Sequence, residues 1–160
     1  IFSKKQELIL NSKLFAKKIA DLVFNKKGYD VRIIDLQNIA SFADFFVICS
    51  ADSETQVKAI ADEIDKTLRD EGIKCWHKEG YTALTWILLD YVDVVVHIFK
   101  KDSRDFYNIE KLWGDAESIE VIDPEILKAE AKKKKAKTVT KKSTTKSSAA
   151  KTTKKKTTKE

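Results

Sequence analysis

WILLDYVDVVVHIF, residues 86–99, is the stretch that decides the fold. On both sides of Tyr91-Val92 the side chains alternate in character, which predicts two antiparallel strands joined by a two-residue connection. In the simplest pairing Asp90 lies opposite Asp93, and the other side chains of the two strands then meet in fixed pairs. The stretch therefore predicts a β-hairpin of defined register.

The two faces of this hairpin differ in composition. One face is purely aliphatic, as expected for a protein core, and consists of Ile87, Leu89, Val94, Val96 and Ile98. The other face is mixed and carries Trp86, Asp90, Asp93 and His97 around Leu88, Val95 and Phe99. In the predicted pairing Leu88 faces Val95 and Trp86 faces His97. We therefore expect the function to lie on the mixed face.

The segments before the hairpin predict helices and strands in alternation. Apolar residues at helical spacing predict a first helix over about residues 5–26, with Gly28 at the C′ position. A second helix begins after Ser53, which forms a capping box, and ends at Gly72. Strands are predicted at residues 31–36, 45–49 and 73–78. The second of these is apolar on both faces, as in a central, doubly covered strand, and the step to the third should be a right-handed crossover between parallel strands.

The segments after the hairpin complete the fold class. A short helix is predicted over about residues 104–112, capped by Asp102 or Ser103, and a last helix begins at Asp123-Pro124. The order is α-β-β-α-β-β-β-α, which predicts an α/β fold with a mixed β-sheet of about five strands and flanking helices. We expect the helices to cover one main face of the sheet and to leave part of the other open.

Charge is divided unevenly along the chain, whose formal net charge is +6. Residues 132–160 carry 13 Lys and one acid, a net charge of +12. Residues 1–131 carry 18 Lys and Arg against 24 Asp and Glu, a net charge of −6. The composition therefore predicts an acidic domain over 1–117, a helical extension over 118–131 and a disordered Lys/Thr/Ser-rich tail over 132–160.

The basic tail suggests contact with phosphate groups. We expect nonspecific attraction to RNA there, beginning with Lys132, Lys133, Lys134 and Lys135. The alternative is a solubilising tail without a specific partner. The sequence contains no run of about 18 apolar residues, so it predicts no membrane span. Two cysteines in unrelated segments fit a reducing cytosol.

Enzyme motifs are missing from the sequence. It contains neither a G-x-G-x-x-G motif nor a P-loop, and Ser41 and Ser50 lack the setting of a nucleophile elbow. Cys49 lies inside an apolar strand, as an inert core thiol does. We therefore assign no catalytic residues and expect no cofactor.

Two metal sites were weighed on residue type and spacing. A zinc site would collect Cys49, Cys75, His77 and His97, but paired short-spacing motifs are missing. A magnesium site would use Asp90 and Asp93 across the turn, but a third carboxylate ligand is not evident nearby and solvated turn residues are the commoner case. We assign no metal ligands.

The mixed face suggests a docking surface instead. Trp86, His97 and Tyr81 could form one aromatic patch edged by Asp90, Asp93 and Glu79, and aromatic residues surrounded by acids suit a partner rich in Arg and Lys. The alternative is that a C-terminal helix covers this patch. We predict that a partner contacts this face, with Trp86 as the buried anchor, through Tyr81, Trp86, Asp90, Asp93 and His97.

At this point the sequence resembles a known family, the ribosomal silencing factors, also called Iojap-like proteins. The resemblance covers about residues 8–117. Its motifs in this chain are Glu79-Gly80-Tyr81, Trp86, Leu88, Asp90, Asp93 to His97, Phe99, Arg104, Tyr107, Glu110 and Leu112-Trp113-Gly114-Asp115-Ala116. Upstream, ADFFVICS (43–50) and QVKAIA (56–61) also match.

The resemblance implies a translation regulator and not an enzyme. Members of the family bind the large ribosomal subunit at its fourteenth large-subunit protein, on the surface that faces the small subunit. They thereby block subunit joining and lower translation when nutrients are scarce. The family fold is related to nucleotidyltransferases, without the Gly-Ser…Asp-x-Asp signature of the active enzymes, and homodimers occur in the family. A cytoplasmic location follows from this role.

Two features depart from the family pattern. The family usually has glycine in the hairpin turn, where this chain has Val92, so the turn must use another geometry or bear strain. The lysine-rich tail also lies outside the shared pattern. A metal-dependent nucleotidyltransferase relative, acting through Asp44, Asp90 or Asp93, remains the alternative function. A general RNA-binding module is disfavoured by the net charge of −6.

Overall fold

The computed structural model describes residues 11–131, which fall into two compact units. The first unit ends at Asp123 and the second begins at Pro124. In the second unit, residues 124–131 are helical. This confirms the predicted helix start at Asp123-Pro124, where the fixed φ of proline suits the first helical position.

Between residues 11 and 123 the chain forms ten elements. In order they are α1 (Ser12–Phe24), β1 (Tyr29–Asp35), β2 (Phe45–Ala51), α2 (Glu54–Asp70), β3 (His77–Glu79), β4 (Trp86–Asp90), β5 (Val94–Lys100), α3 (Lys101–Tyr107), α4 (Ile109–Leu112) and β6 (Glu117–Val121). This confirms the predicted α/β class, with six strands in place of about five.

The six strands form one mixed sheet in the order β3-β4-β5-β2-β1-β6. Only the central pair, β2 with β5, is parallel, and the other pairs are antiparallel. All seven residues of β2 are buried, which confirms the doubly covered strand. The strand after α2 is β3, which runs parallel to β2 as predicted but lies at the sheet edge, with β4 and β5 between the two.

The aliphatic face of the hairpin packs in the main core with α1 and α2, as predicted. Ile87, Leu89 and Ile98 are fully buried there. Burial of each such side chain contributes roughly 1.5–3 kcal/mol. Ser53 caps α2 as predicted, by accepting a hydrogen bond from the backbone N–H of Gln56 at 3.2 Å. The Gln56 side-chain oxygen accepts in return from the N–H of Asp52 at 2.8 Å, one residue before the cap residue of a standard capping box.

A smaller apolar cluster lies on the opposite, mixed face. Residues from two connecting segments, 36–43 and 109–116, pack there against β1, β2 and β5. Trp86 and Leu88 of β4 are only partly buried at the border of this cluster. The predicted arrangement, with one face covered by helices and part of the other left open, is therefore confirmed within the described residues.

Both ends of α1 lie inside the predicted range. Asn11 caps α1 by accepting a hydrogen bond from the backbone N–H of Leu14, and the predicted start near residue 5 lies outside the described residues. The prediction for Gly28 was wrong, since Lys27 takes the left-handed conformation with φ 60°. Gly28 is instead needed for close packing, because a Cβ there would lie 2.3 Å from the side chain of Val23.

The predicted helix over 104–112 is two short helices. Asn108 adopts φ 41° between α3 and α4, and this left-handed residue interrupts the helical hydrogen bonds. Capping by Asp102 or Ser103 was also wrong. Lys100, the last residue of β5, stands at the cap position without a side-chain hydrogen bond, because the helix follows the strand directly.

The helical extension predicted over 118–131 was wrong at its start. Residues 117–121 form β6, which pairs with β1 through contacts such as Ile33 opposite Ile119. The helical prediction holds only for residues 124–131. The partners that make a strand of this segment lie far away in the sequence, so a local pattern could not identify them.

Candidate functional site

The hairpin register differs from the prediction by two residues. Asp90 lies opposite Val95 and Trp86 lies opposite Phe99, so the predicted pairs Asp90–Asp93 and Trp86–His97 were wrong. The turn is Val92-Asp93, and the Tyr91 N–H donates to the Val94 carbonyl at 2.9 Å to close it. Because strand faces repeat every two residues, the shift leaves the side chains of both strands on their predicted faces, whereas Asp93 moves from the strand into the turn.

The turn bears strain at Val92. This β-branched residue has φ 75°, a conformation that L side chains disfavour. The Asp93 N–H donates to the Tyr91 carbonyl at 3.1 Å, as in a γ-turn, and the Asp90 carboxylate accepts from the Val92 N–H at 2.8 Å. Such a residue costs on the order of 1–3 kcal/mol. The sequence predicted that a turn with valine at this position either uses another geometry or bears strain, and the structure shows strain.

The open part of the mixed face is formed by the two outer strands β3 and β4. We call it the open strip, and its residues are Trp86, Leu88 and Asp90 of β4 with His77 and Glu79 of β3. Trp86, Leu88 and Asp90 are half-buried, whereas His77 and Glu79 are exposed. His77 Nε2 lies 2.7 Å from Glu79 Oε1. The open strip therefore presents apolar side chains next to carboxylates.

Trp86 is held in place by aromatic contacts on several sides. It stacks on Phe99 with ring centroids 4.8 Å apart and contacts Tyr107 at 4.9 Å. Its indole N–H donates to Nδ1 of His97 at 3.2 Å. The side chain is thus preorganised, although part of its surface remains open to a partner.

His97 is buried among these rings, with an exposure of 5%. Burial lowers the pKa of His97 to about 4, so the ring is neutral at pH 7. The predicted direct contact of His97 with a partner finds no support in this conformation. The ring instead orients Trp86 through the hydrogen bond that it accepts.

Tyr81 lies apart from the open strip. It is half-buried and packs against the main core, so the predicted patch of Tyr81 with Trp86 and His97 was wrong. Burial first, and then the nearby carboxylates of Asp62 and Asp65, raise the pKa of Tyr81. These contacts assign Tyr81 to the packing of α2 on the sheet.

An open groove lies at the hairpin turn, beside the strip. This turn groove has a volume of about 400 Å³ and is lined by Phe42, Trp76, Asp90 and Val92. Phe42, Trp76 and Val92 are 58%, 80% and 57% exposed. The sequence-based prediction missed Phe42 and Trp76. Phe42 lies in the connection between β1 and β2, and Trp76 directly precedes the polar strand β3, so no periodic pattern marks either residue.

A buried arginine supports the segment that carries Tyr107. Arg104 is 5% exposed, and its guanidinium donates to both carboxylate oxygens of Glu110, at 2.6 and 3.2 Å. It also donates to the Asp30 carbonyl at 2.6 Å and to Ser50 Oγ at 2.8 Å. Since Arg104 and Glu110 flank the break between α3 and α4, this clamp fixes the backbone that places Tyr107 on Trp86.

The remaining predicted residues have simple outcomes. Asp93 is exposed at the turn, and Lys132, Lys133, Lys134 and Lys135 lie outside the described residues. Burial raises the pKa of Cys49 to about 12, so its thiol is protonated and unreactive at pH 7. Over residues 11–131, no three His, Cys, Asp or Glu side chains are grouped to hold a metal ion. In the same range no helix is long and apolar enough to cross a bilayer.

Comparison with known proteins gives consistent matches, and the family match extends past the predicted limit near residue 117 into the lysine-rich tail, which was predicted to lie outside the family pattern. Residues 10–155 match the family described as "Ribosomal silencing factor during starvation". The chain is 48% identical over 99 residues to the ribosomal silencing factor of Halalkalibacterium halodurans, which covers 62% of this chain and 85% of that protein. It is 37% identical over 110 residues to the chloroplastic Iojap protein of Zea mays, with 67% of this chain and 46% of that protein covered.

Solved structures agree with the sequence matches. A crystal structure from Bacillus halodurans is 40% identical, covers 69% of this chain and all of the other, and superimposes with a TM-score of 0.61. One from Chromobacterium violaceum is 33% identical, covers 63% and 85% of the two chains, and has the same TM-score. By sequence and by fold, the chain belongs to the ribosomal silencing factor family.

Proposed function

We propose that this chain binds the large ribosomal subunit at its fourteenth large-subunit protein and sterically prevents the small subunit from joining. The observation that carries the proposal is the open strip, where a preorganised Trp86 shares one face of the sheet with the carboxylates of Asp90 and Glu79. Ribosomal proteins that contact rRNA are basic, and residues 1–131 carry a net charge of −6. Opposite charges favour such an encounter and fix its orientation.

Within this interface Trp86 acts as the anchor. Its ring is already stacked on Phe99 and Tyr107, so little rotamer freedom is lost when a partner covers it. Trp residues in such positions often supply a large share of the binding free energy. Asp90 and Asp93 form the rim, where they pair with Arg or Lys of the partner and contribute mainly to orientation and association rate.

Silencing by this route requires no chemical step. Occupation of the surface that faces the small subunit is sufficient, so the effect depends on the affinity and on the position of the bound factor. The factor acts where the ribosomes are, in the cytoplasm, and represses translation when nutrients are limiting. A stable interface of this kind covers roughly 800 Å² on each partner, which extends well beyond the five residues of the open strip.

The basic tail adds contacts to rRNA in this proposal. Lys132, Lys133, Lys134 and Lys135 begin a segment with a net charge of +12. Neutralisation of phosphates releases counterions, so the tail should make binding salt-dependent. Removal of 132–160 should lower both the affinity for large subunits and the dependence of that affinity on salt. A truncated chain with unchanged affinity and salt slope would show that the tail only solubilises.

Sucrose-gradient sedimentation with isolated subunits tests the proposal. The chain should co-sediment with large subunits. When small subunits are added, it should reduce the peak of ribosomes assembled from both subunits. Trp86→Ala should weaken binding by about 2 kcal/mol or more, a factor of roughly 30. Leu14→Ala is the matched control, because Leu14 is a 45% exposed apolar residue on α1, outside the open strip.

Two results would count against this function. If the Trp86→Ala variant and the parent co-sediment equally, the open strip is not part of the interface. Turnover of a nucleotide in the presence of Mg²⁺ would instead favour an enzyme related to nucleotidyltransferases. Thermal unfolding of each variant checks that a loss of binding is not a loss of fold.

A further inference from the structure

The strained Val92 has no packing in the core that would offset its cost. Its side chain is 57% exposed and its φ is 75°. Strain that persists without buried contacts is often found where a segment binds something. The side chain of Val92 instead lines the turn groove, together with Phe42, Trp76 and Asp90.

The backbone of the turn is fixed without help from the valine side chain. The Asp90 carboxylate accepts from the Val92 N–H, and the Asp93 carbonyl accepts from the N–H groups of Asp44 and Phe45 at 2.8 and 3.0 Å. These bonds join the turn to the start of β2, and none of them involves side-chain atoms of Val92. Glycine would satisfy all of them at lower conformational cost. The turn geometry therefore does not explain why a valine is present.

We propose that Val92 is a specificity-determining residue that completes the turn groove for an apolar side chain of the partner. This inference rests on the proposed function and deepens it. The occupant is a segment of a basic ribosomal protein in which a Leu, Ile, Phe or similar residue is adjacent to Lys or Arg. The apolar residue enters between Phe42, Trp76 and Val92, and the cation lies along Asp90 and the exposed Asp93.

Charge and size support this choice of occupant. Three of the four lining residues are apolar, the fourth is a carboxylate, and none is cationic. A volume of about 400 Å³ lies at the small end of the roughly 300–1,000 Å³ typical of binding pockets and admits one bulky side chain. Asp90 belongs to both the turn groove and the open strip, so one partner can cover the two together.

Three substitutions at Val92 separate the side chain from the backbone. Val92→Gly removes the strain and the groove wall, Val92→Ala removes the wall but keeps a Cβ at positive φ, and Val92→Ile keeps the apolar wall. Binding to purified large subunits is measured by sedimentation, and stability by urea unfolding of the full-length chain. Val92→Gly should unfold at higher urea concentration yet bind about fivefold or more weakly. Val92→Ala should also bind more weakly, without the gain in stability, and Val92→Ile should bind like the parent.

The result that overturns the inference is tight binding by the Gly and Ala variants while Trp86→Ala still weakens it. In that case the open strip docks the ribosome and the turn groove contributes nothing. Failure of the parent chain to bind large subunits would instead overturn the proposed function, and this inference with it. Because Val92→Gly is expected to be more stable, weaker binding by this variant cannot be attributed to unfolding.

Discussion

Replacement of Arg104 by alanine should cost this domain a large part of its stability. The guanidinium is almost completely buried and makes four hydrogen bonds, two of them to Glu110. Removal of one member of a buried ion pair typically costs about 3–5 kcal/mol. Because the Glu110 side chain is 24% exposed and can regain water, we expect the lower end, about 3 kcal/mol. For a domain of this size that lowers the unfolding temperature by about 10 °C.

Arg32 provides a matched control for this prediction. It is also an arginine near Asp30 and Glu110, with nitrogen–oxygen distances of 3.2 and 3.7 Å, but its side chain is 42% exposed. An exposed pair is worth less than about 1 kcal/mol, so Arg32→Ala should be nearly neutral. Urea unfolding followed by far-UV circular dichroism measures both variants. Equal losses for Arg32→Ala and Arg104→Ala would refute the reasoning from burial.

Two further predictions concern His97 and Gly80. Burial lowers the pKa of His97 to about 4 in the folded chain. Between pH 6.5 and 4 the unfolded chain therefore binds a proton that the folded chain does not. The free energy of unfolding should fall by about 3 kcal/mol as the pH drops through this window. His97→Gln should flatten that part of the curve in urea unfolding at stepped pH, and an unchanged slope would contradict the assignment. Gly80→Ala should cost at least about 2 kcal/mol, since φ is 87° and the new Cβ would lie 1.9 Å from the Trp86 carbonyl oxygen. Gly114→Ala, whose Cβ would meet its nearest atom at 3.4 Å, should be close to neutral in the same assay, and similar losses for the two glycines would be the contrary result.

The sequence predicted the faces of the hairpin better than its register. Ile87 and Leu89 enter the main core as expected, and Trp86 and Asp90 lie on the open side. Two pairings of the strands that differ by two residues put the same side chains on the same face. The alternation of side chains therefore identifies the faces but could not locate the turn. The location depends on Val92 accepting a positive φ, which its residue type disfavours.

The candidate site was predicted on that hairpin and at Glu79 of β3, but not elsewhere. Trp86 and Asp90 were identified, but Phe42 and Trp76 were not, because they come from a loop and from the approach to an edge strand. Tyr81 was assigned to the wrong face, since Gly80 at φ 87° redirects the chain just before it. Burial of His97 depends on rings that come from several other elements, and no local pattern contains this information.

The pairing of β6 has a consequence for synthesis of the chain. Ile33 and Ile119 lie opposite each other but 86 residues apart, so β1 has no partner on its outer side until residues 117–121 have been made. Translation at about 5–20 residues per second leaves that edge exposed for several seconds, long compared with the formation of a hairpin. An unpaired edge strand is a template for aggregation. The nascent chain should therefore need protection at β1 until β6 emerges.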